Sequence, residues 1–256
     1  MRAQRANQAA LLNYRPQAVR FHWLSAPVVR FAGCTGWSGG VYTFGPFVDG
    51  LLRTRRGDVS LDSCDFNLDV DLDLARYDVR RQERHINGWI RPALRRQVRE
   101  LRFRVFVMPR RIPCTLEDQP LAFEHLTRLQ LAGVQANTCV LDFSSCPALE
   151  DLSMEDSDVR SLETHSLSLK HLRIRYCLFN PNYRTSMSFS SLVSLELITD
   201  AGRIPMLEST PSLQIVKVRF DHFYDDRCSK GRLDDCAGAD YHGCYYYYGP
   251  DDYNCV

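Results

Sequence analysis

Aliphatic side chains recur along the middle of the chain in the pattern Leu-x-x-Leu-x-Leu, where x is any residue. Six copies follow one another: Val98-x-x-Leu101-x-Phe103, Leu126-x-x-Leu129-x-Leu131, Leu149-x-x-Leu152-x-Met154, Leu169-x-x-Leu172-x-Ile174, Leu192-x-x-Leu195-x-Leu197 and Leu213-x-x-Val216-x-Val218. A degenerate copy, Leu61-x-x-Cys64-x-Phe66, precedes them. The central residues stand at 101, 129, 152, 172, 195 and 216, so the steps are 28, 23, 20, 23 and 21 residues. This spacing indicates an internal repeat.

The pattern has a specific physical meaning. Alternation with period two places the last two apolar residues of each copy on one face of a short β-strand. One such unit cannot bury its apolar face alone, so neighbouring units stack and their strands form a parallel sheet. Steps of about 20–29 residues are typical of leucine-rich repeats. The sequence therefore predicts an α/β leucine-rich-repeat solenoid over residues 58–220, with a curved parallel sheet on the concave side and helices and irregular turns on the convex side. The alternative is a generic α/β domain with one unrepeated core.

A helical pattern lies between the degenerate copy and the first full copy. Over Tyr77–Gln97, apolar residues recur at near-helical spacing, at Val79, Ile86, Trp89, Ile90, Ala93 and Leu94. We predict a convex-side helix that covers the first repeats. Pro92 lies inside this stretch and is expected to kink or divide the helix, because proline lacks the backbone N–H.

Composition narrows the classes of protein. Apolar residues make up 45% of the 256 residues, and 32 Lys and Arg oppose 31 Asp and Glu, so the charge balance gives no general affinity for polyanions. No apolar run approaches the roughly 20 residues of a membrane span, and the N-terminus lacks the apolar core of a secretory signal. Four of the ten cysteines lie in or beside apolar runs, where we predict free thiols: Cys64, Cys139, Cys146 and Cys177. These features predict a cytoplasmic or nuclear protein.

The two flanks differ from the repeats. Residues 1–57 form an Arg-rich N-terminal region, and residues 221–256 are acidic and rich in Tyr, Gly and Cys, which predicts a poorly ordered loop or tail. A zinc site can be considered in this tail from Cys228, Cys236, Cys244, Cys255, His222 and His242. Structural zinc sites use short C-x2–4-C pairs, and this spacing is much longer. We therefore expect no metal.

Motifs for catalysis are missing from the sequence. It contains no Gly-x-Ser-x-Gly elbow, no phosphate-binding glycine loop and no His-Glu-x-x-His. The seven histidines are scattered along the chain. We expect no enzymatic activity and no cofactor.

The residues that flank the buried positions of each strand should point away from the core, on the concave face. The set expected to contact a partner is Arg102, Arg104, Arg128, Gln130, Asp151, Ser153, Glu155, His171, Arg173, Arg175, Glu196, Lys217 and Arg219. Rigid rows of side chains about 4.8 Å apart suit protein recognition, and the guanidinium fork is favoured at interfaces. The alternatives are a face that is only solvated, and a broken basic stripe that binds nucleic acid. No nucleic-acid-binding motif accompanies that stripe.

Several segments together resemble the plant F-box/leucine-rich-repeat family. They are Phe47-Val-Asp-Gly-Leu-Leu-Arg-Thr-Arg-Arg-Gly, Leu61-Asp-Ser-Cys-Asp-Phe, Trp89-Ile-Arg-x-Ala-Leu-Arg-Arg-x-Val-Arg-Glu-Leu, Cys146-Pro-Ala-Leu-Glu-Asp-Leu and Leu169-Lys-His-Leu-Arg-Ile. The resemblance covers residues 27–220, and it implies a helix in region 1–57, at Phe47–Gly57. It implies a noncatalytic substrate-recognition subunit of an SCF-type ubiquitin ligase, with a Skp-type adaptor, a cullin and an unknown target protein as partners.

The chain departs from the family at its N-terminus. Family members open with an F-box that begins Leu-Pro-x-x-x-Leu and docks on the adaptor, and that opening is absent here. Arg15–Arg20 and Trp23–Arg30 resemble two pieces of its second half, and no closing C-terminal domain follows the repeats. We therefore expect a truncated member with an F-box remnant that binds the adaptor weakly, or alternatively a free-standing repeat protein without ligase association.

Overall fold

The computed structural model describes residues 26–33, 41–54, 61–71, 79–94, 97–108, 113–117, 123–181 and 183–220. Two helices, α1 (Val41–Thr54) and α2 (Val79–Leu94), lie among fourteen strands in this part of the chain. The strands are β1 (Val28–Ala32), β2 (Ser63–Asp71), β3 (Glu100–Met108), β4 (Cys114–Thr115), β5 (Arg128–Ala132), β6 (Val134–Asn137), β7 (Asp151–Glu155), β8 (Asp158–Arg160), β9 (Glu163–Ser166), β10 (His171–Phe179), β11 (Ser186–Phe189), β12 (Ser194–Ala201), β13 (Met206–Ser209) and β14 (Ile215–Phe220).

A parallel main sheet runs through the whole described chain. Its strands are β1, β2, β3, β5, β7, β10, β12 and β14 in that spatial order, and every neighbouring pair is parallel. One row of Cα partners crosses it: Val29, Cys64, Leu101, Leu129, Leu152, Leu172, Leu195 and Val216. The predicted alignment of the six copies is therefore confirmed as the register of the sheet. The fold is α/β, with a curled parallel sheet that forms a half-barrel.

The main sheet begins earlier along the chain than residue 58. β1 pairs with β2 from Val28↔Ser63 to Ala32↔Asn67. This strand includes the end of the segment that resembles a piece of the F-box. Most of that resemblance, including Arg15–Arg20, lies outside the described residues, as does the predicted tail 221–256.

The two helices cover the core side of the first strands. Phe31 of β1 stacks on Phe66 of β2 with ring centroids 4.9 Å apart, and Phe66 stacks on Trp89 of α2 at 6.2 Å. Phe44 of α1 packs edge-on against Phe31 and Trp89. All four side chains are buried, so aromatic contacts link β1, β2 and both helices. Neither helix is long and apolar enough to cross a membrane.

Helix α2 confirms the predicted convex-side helix. It lies within the predicted range, and its described apolar residues Ile86, Trp89, Ile90 and Ala93 belong to the core. The helical run includes Pro92 and ends two residues later, so the helix is not divided there. A proline so close to the end of a helix removes only one backbone hydrogen bond.

The backs of the later coils differ from the prediction of helices and irregular turns. Short strands occupy them instead: β4, β6, β8 and the end of β10 pair side by side, and β9, β11 and β13 form a separate parallel sheet. A coil of 20–23 residues leaves too little chain for a helix of ordinary length after the main strand and its turns. Two or three extended segments fit that length and still pair with the next coil.

The chain turns sharply after several main strands. Gly133 follows β5, Asp156 follows β7 and Tyr176 lies within β10, and all three have positive φ, at +67°, +47° and +53°. They stand one residue beyond the aligned positions Ala132, Glu155 and Arg175. At Gly133 an added Cβ would lie 2.0 Å from the carbonyl oxygen of Val105, so only glycine fits this corner.

The described cysteines include four buried free thiols: Cys64, Cys114, Cys146 and Cys177. All four cysteines predicted to be free thiols are free: Cys64, Cys146 and Cys177 are buried, and Cys139 is half-buried. Burial raises the pKa of the Cys114 and Cys177 thiols to about 12. Both therefore remain protonated near neutral pH and serve as small apolar groups of the core.

Candidate partner-binding face

The main sheet has one side turned away from the core, which we name the open face. Its side chains form three rows because the register is unbroken from β2 to β14. The first row is Ser63, Glu100, Arg128, Asp151, His171, Ser194 and Ile215; the second is Asp65, Arg102, Gln130, Ser153, Arg173, Glu196 and Lys217; the third is Asn67, Arg104, Ala132, Glu155, Arg175, Ile198 and Arg219.

All thirteen residues predicted to contact a partner are half-buried or exposed, and the register brings them onto this face. Two other flanking positions differ from the expected outward placement. Ala132 and Ile198 are only 3% and 5% exposed, so they belong to the packed interior. Both occupy the third row, beside the corner where the backbone turns away from the main sheet.

Arg30 extends the second row by one strand. It lies on β1 opposite Asp65, and both side chains were missed by the sequence analysis. The available signal was the alternation Val29-Arg30-Phe31, which has the same form as Cys64-Asp65-Phe66. The first residue of the pattern, three positions before Val29, is Ala26 here, so the Leu-x-x-Leu-x-Leu search passes over this segment.

An ion-pair network spans β3, β5 and β7 in the first row. The Arg128 guanidinium donates through Nη1 to Glu100 Oε1 and through Nη2 to Asp151 Oδ2, each at 3.2 Å. The cation is thus shared by two carboxylates on neighbouring strands. These side chains are about 35–42% exposed, so the network fixes their positions more than it stabilises the fold.

A second network surrounds Glu196 on β12. Its Oε1 accepts from Lys217 Nζ at 2.8 Å, and its Oε2 accepts from Arg175 Nη2 at 2.8 Å and Arg173 Nε at 3.0 Å. The Glu196 side chain is 14% exposed. Hydrogen bonds from Lys217 first, and then from Arg175 and Arg173, lower the pKa of this carboxyl to about 2. One fixed negative charge therefore holds three cations from the two neighbouring strands.

The N-terminal part of the open face is different. Within the described chain, Arg30, Arg102 and Arg104 have no hydrogen-bond or ion-pair partner for their side chains. Arg30 and Arg104 are exposed, and Arg102 is half-buried with its Nε atom shielded from solvent and unsatisfied. We name these three residues the arginine corner. A buried unpaired N–H costs free energy, which a bound acceptor would recover.

Strands β5 and β7, which carry the first network, also keep uncommitted polar groups. Gln130 and Ser153 in the second row and Glu155 in the third row form no side-chain hydrogen bond within the described chain. They lie between the arginine corner and the Glu196 network. The groups free to contact a partner therefore extend from β1 to β7.

The described residues contain no cluster of three His, Cys, Asp or Glu that could hold a metal ion. The cysteines and histidines of the zinc interpretation, from His222 to Cys255, lie outside the described residues. Comparisons with family models, with curated proteins and with solved structures return no match to this chain.

Proposed function

We propose that this protein is a leucine-rich-repeat protein that binds a partner protein on its concave face, formed by the open face, and performs no catalysis of its own. Support comes from the ladder of aligned apolar residues and from steps of 20–23 residues over most of its length. A rigid sheet with three rows of polar side chains presents many contacts without a conformational change.

The observation that carries the proposal is the arginine corner. Arg128, Arg173, Arg175 and Lys217 are already bound to carboxylates of the same face. Within the described residues Arg30, Arg102 and Arg104 are not, and they lie on β1 and β3, the two strands that flank β2. Guanidinium groups in such an array pair with carboxylates in a bidentate manner. The partner segment is therefore acidic where it meets β1–β3, and polar where it meets Gln130 and Ser153.

The resemblance to plant F-box/leucine-rich-repeat proteins supports one biological setting for this binding. In that setting the repeats hold the target of an SCF-type ubiquitin ligase, and the other subunits supply the chemistry. The alternative is a repeat protein that binds its partner without a ligase.

A peptide array tests the binding face. The full chain is probed against peptides of random sequence and against matched peptides in which Asp and Glu are replaced by Asn and Gln. We expect the bound peptides to be enriched in acidic residues. The double variant Arg102→Gln/Arg104→Gln should bind them at least tenfold more weakly, since it removes two charge-assisted contacts.

The matched control is Arg53→Gln on α1. Arg53 is 75% exposed and lies away from the main sheet, so it should leave binding unchanged. Bound peptides without acidic enrichment, or equal loss in the control, would contradict the proposal. Tight binding of polynucleotides that falls steeply with salt would instead favour the nucleic-acid alternative.

A Skp-type adaptor distinguishes the two settings. We expect the purified chain to bind the adaptor weakly or not at all, because the usual docking motif is missing. Stoichiometric binding in a pull-down would place the protein in a ligase. Peptide binding without adaptor binding would show that the repeats bind a partner independently of the adaptor.

A further inference from the structure

Uncommitted side chains of the open face form a block over three adjacent strands. β3 contributes Arg102 and Arg104, β5 contributes Gln130, and β7 contributes Ser153 and Glu155. Within the part of the chain that the structure describes, none of these five side chains has a hydrogen-bond or ion-pair partner. We name these five residues the free block. It lies in the second and third rows, on the same strands as the first ion-pair network.

Opposite charges occupy the two ends of the free block. Its two arginines lie on β3, two positions apart on the same side of the strand. Glu100 of β3 is already bound to Arg128, and Asp65 of β2 offsets only one of the three charges of the arginine corner. Glu155 lies on β7, and the cation beside it in the third row is held by Glu196. The block is therefore positive on β3 and negative on β7.

The two charged ends are two strand spacings apart. Neighbouring strands lie about 4.8 Å apart, so the backbones of β3 and β7 are separated by about 9.6 Å. A partner that meets both ends needs an acidic and a basic side chain about that far apart on one side of its chain. Between them, β5 presents Gln130 and the small, buried Ala132. The middle of the partner therefore meets an uncharged surface.

A helix provides this spacing, and an extended chain does not. In a helix, two residues seven positions apart lie on the same side and are separated by about 10.5 Å, because each residue adds about 1.5 Å. In an extended chain, residues on one side are separated by an even number of steps of about 3.3 Å, which gives about 6.6 or 13 Å. A helix also pairs its own backbone N–H and C=O groups, which an extended chain lying across side chains leaves without regular partners.

We propose that the open face binds a helix of its partner protein, laid across β3, β5 and β7. The inference rests on the proposed function and specifies the partner. The helix carries an acidic and a basic residue seven positions apart, the acid bound by Arg102 and Arg104 and the base bound by Glu155. The residues one turn from each end face Gln130, since a helical turn of about 5.4 Å is close to one strand spacing.

A library of stapled peptides tests the helix directly. Each peptide is held helical by a hydrocarbon staple on one side and is randomised on the other side at positions i, i+3, i+4 and i+7. The full chain selects from this library and from an unstapled library of the same sequences. We expect peptides with opposite charges at i and i+7 to be enriched at least tenfold. Without the staple they should bind at least tenfold more weakly, because ordering the helix then opposes binding.

Charge reversal at Glu155 tests the orientation of the helix on the block. Glu155→Lys should weaken the selected peptides at least tenfold and should favour peptides whose basic residue is changed to Glu, because a lysine binds a carboxylate. Glu155→Gln should weaken binding without this change of preference. The matched control is Glu208→Lys, since Glu208 is exposed and lies on β13, outside the main sheet. Fluorescence anisotropy measures each dissociation constant, and circular dichroism confirms that each variant is folded.

The outcomes separate this inference from the proposed function. Selected peptides that are acidic but gain nothing from the staple would overturn the helix and leave recognition by the arginine corner in place. An unchanged preference in Glu155→Lys would do the same. Enrichment of opposite charges two or four positions apart in the unstapled library would assign the site to an extended segment and overturn the helix. Absence of acidic enrichment from both libraries would overturn the proposed function as well.

Discussion

The two ends of the main sheet differ in how well the inward-facing side chains of their edge strands are covered. At β1, the inward side chain of Phe31 is 4% exposed because it stacks on Phe66 and meets the edge of Phe44 from α1. At β14, the inward side chains of Val216 and Val218 are about half exposed. The core residues of an edge strand are therefore buried from solvent only when a helix or a further coil covers them. The repeat pattern alone does not bury its last member.

The ends also differ in charge. Near β14, Glu196 neutralises cations from β10 and β14, whereas near β1 no carboxylate of the described residues is bound to the arginine corner. The same residue type thus fills different roles along one face. Paired arginines fix the geometry of neighbouring strands, and unpaired ones remain available to a partner.

The largest expected change in the free energy of unfolding comes from the interior of the sheet, and it is the reference for the changes at both ends. Leu152 is 3% exposed, and Leu152→Asp should lower the free energy of unfolding by about 5 kcal/mol, because it buries an unpaired charge. Ser153→Asp on the open side of the same strand should change it by less than about 0.5 kcal/mol. Denaturant unfolding followed by circular dichroism measures both. Equal stability of the two variants would mean that the alternation is wrongly assigned.

The helical cover at β1 can be removed selectively. Trp89→Ala should cost about 3–5 kcal/mol, since the ring is 1% exposed and contacts Phe66 and Phe44. Gly88→Ala is the matched control, because this neighbouring helical position is exposed and an added Cβ has open space. It should stabilise the protein by about 0.5–1 kcal/mol. A small effect of Trp89→Ala would show that the helices do not protect this end.

The smallest effect concerns the Glu196 network. Its carboxyl has a pKa of about 2, below the usual 4.5, so the ionised form is favoured in the folded state. The stability that it provides is complete above pH 4.5 and is lost as the pH falls toward 2. Because the three cationic side chains are 40–65% exposed, water screens the interaction and we expect about 1 kcal/mol.

The measurement compares the parent with Glu196→Gln at several pH values. The difference in unfolding free energy should be constant from pH 7 to 5 and should disappear near pH 2. Glu208→Gln on β13 provides an exposed control for which no difference is expected. A difference that persists at pH 2 would show that the ionised carboxylate is not its source.

Much of the sheet could be predicted from the sequence. Six copies of Leu-x-x-Leu-x-Leu gave the register from Leu101 to Val216, because each buried pair of aliphatic side chains must align with the next. The helix before the first full copy was visible from its apolar spacing. These features depend on the spacing of apolar residues within each element and on the stacking of similar units, and both produce a periodic pattern in the sequence.

The remaining elements leave a weaker trace. β1 is short, and Phe31 is buried by aromatic stacking, while Ala26 stands where the pattern has its first leucine, so the pattern search missed this strand. The strands on the backs of the coils, such as β9 and β11, are four residues long and contain Ser, Thr and His. Each of these strands pairs with strands of the neighbouring coils, so its position depends on contacts that the sequence of one coil does not reveal.

The sequence predicted which residues lie on the candidate face, but not which of them form ion pairs with one another. All thirteen selected residues lie on the open face. The sequence did not separate Arg128 and Arg175, which are bound to carboxylates, from Arg102 and Arg104, which are not. That distinction depends on side-chain reach across strands, and it decides which charges a partner can use.

The unbroken register has a consequence for variation in this protein. From Val29 to Val216, aligned residues of neighbouring strands are 20 to 37 positions apart in the sequence. The strands nevertheless keep one register across the sheet. Insertions between the main strands therefore leave the lateral spacing of the side chains on the open face unchanged. Such a scaffold is modular: its connecting segments can be lengthened or shortened while the geometry of the main sheet is preserved.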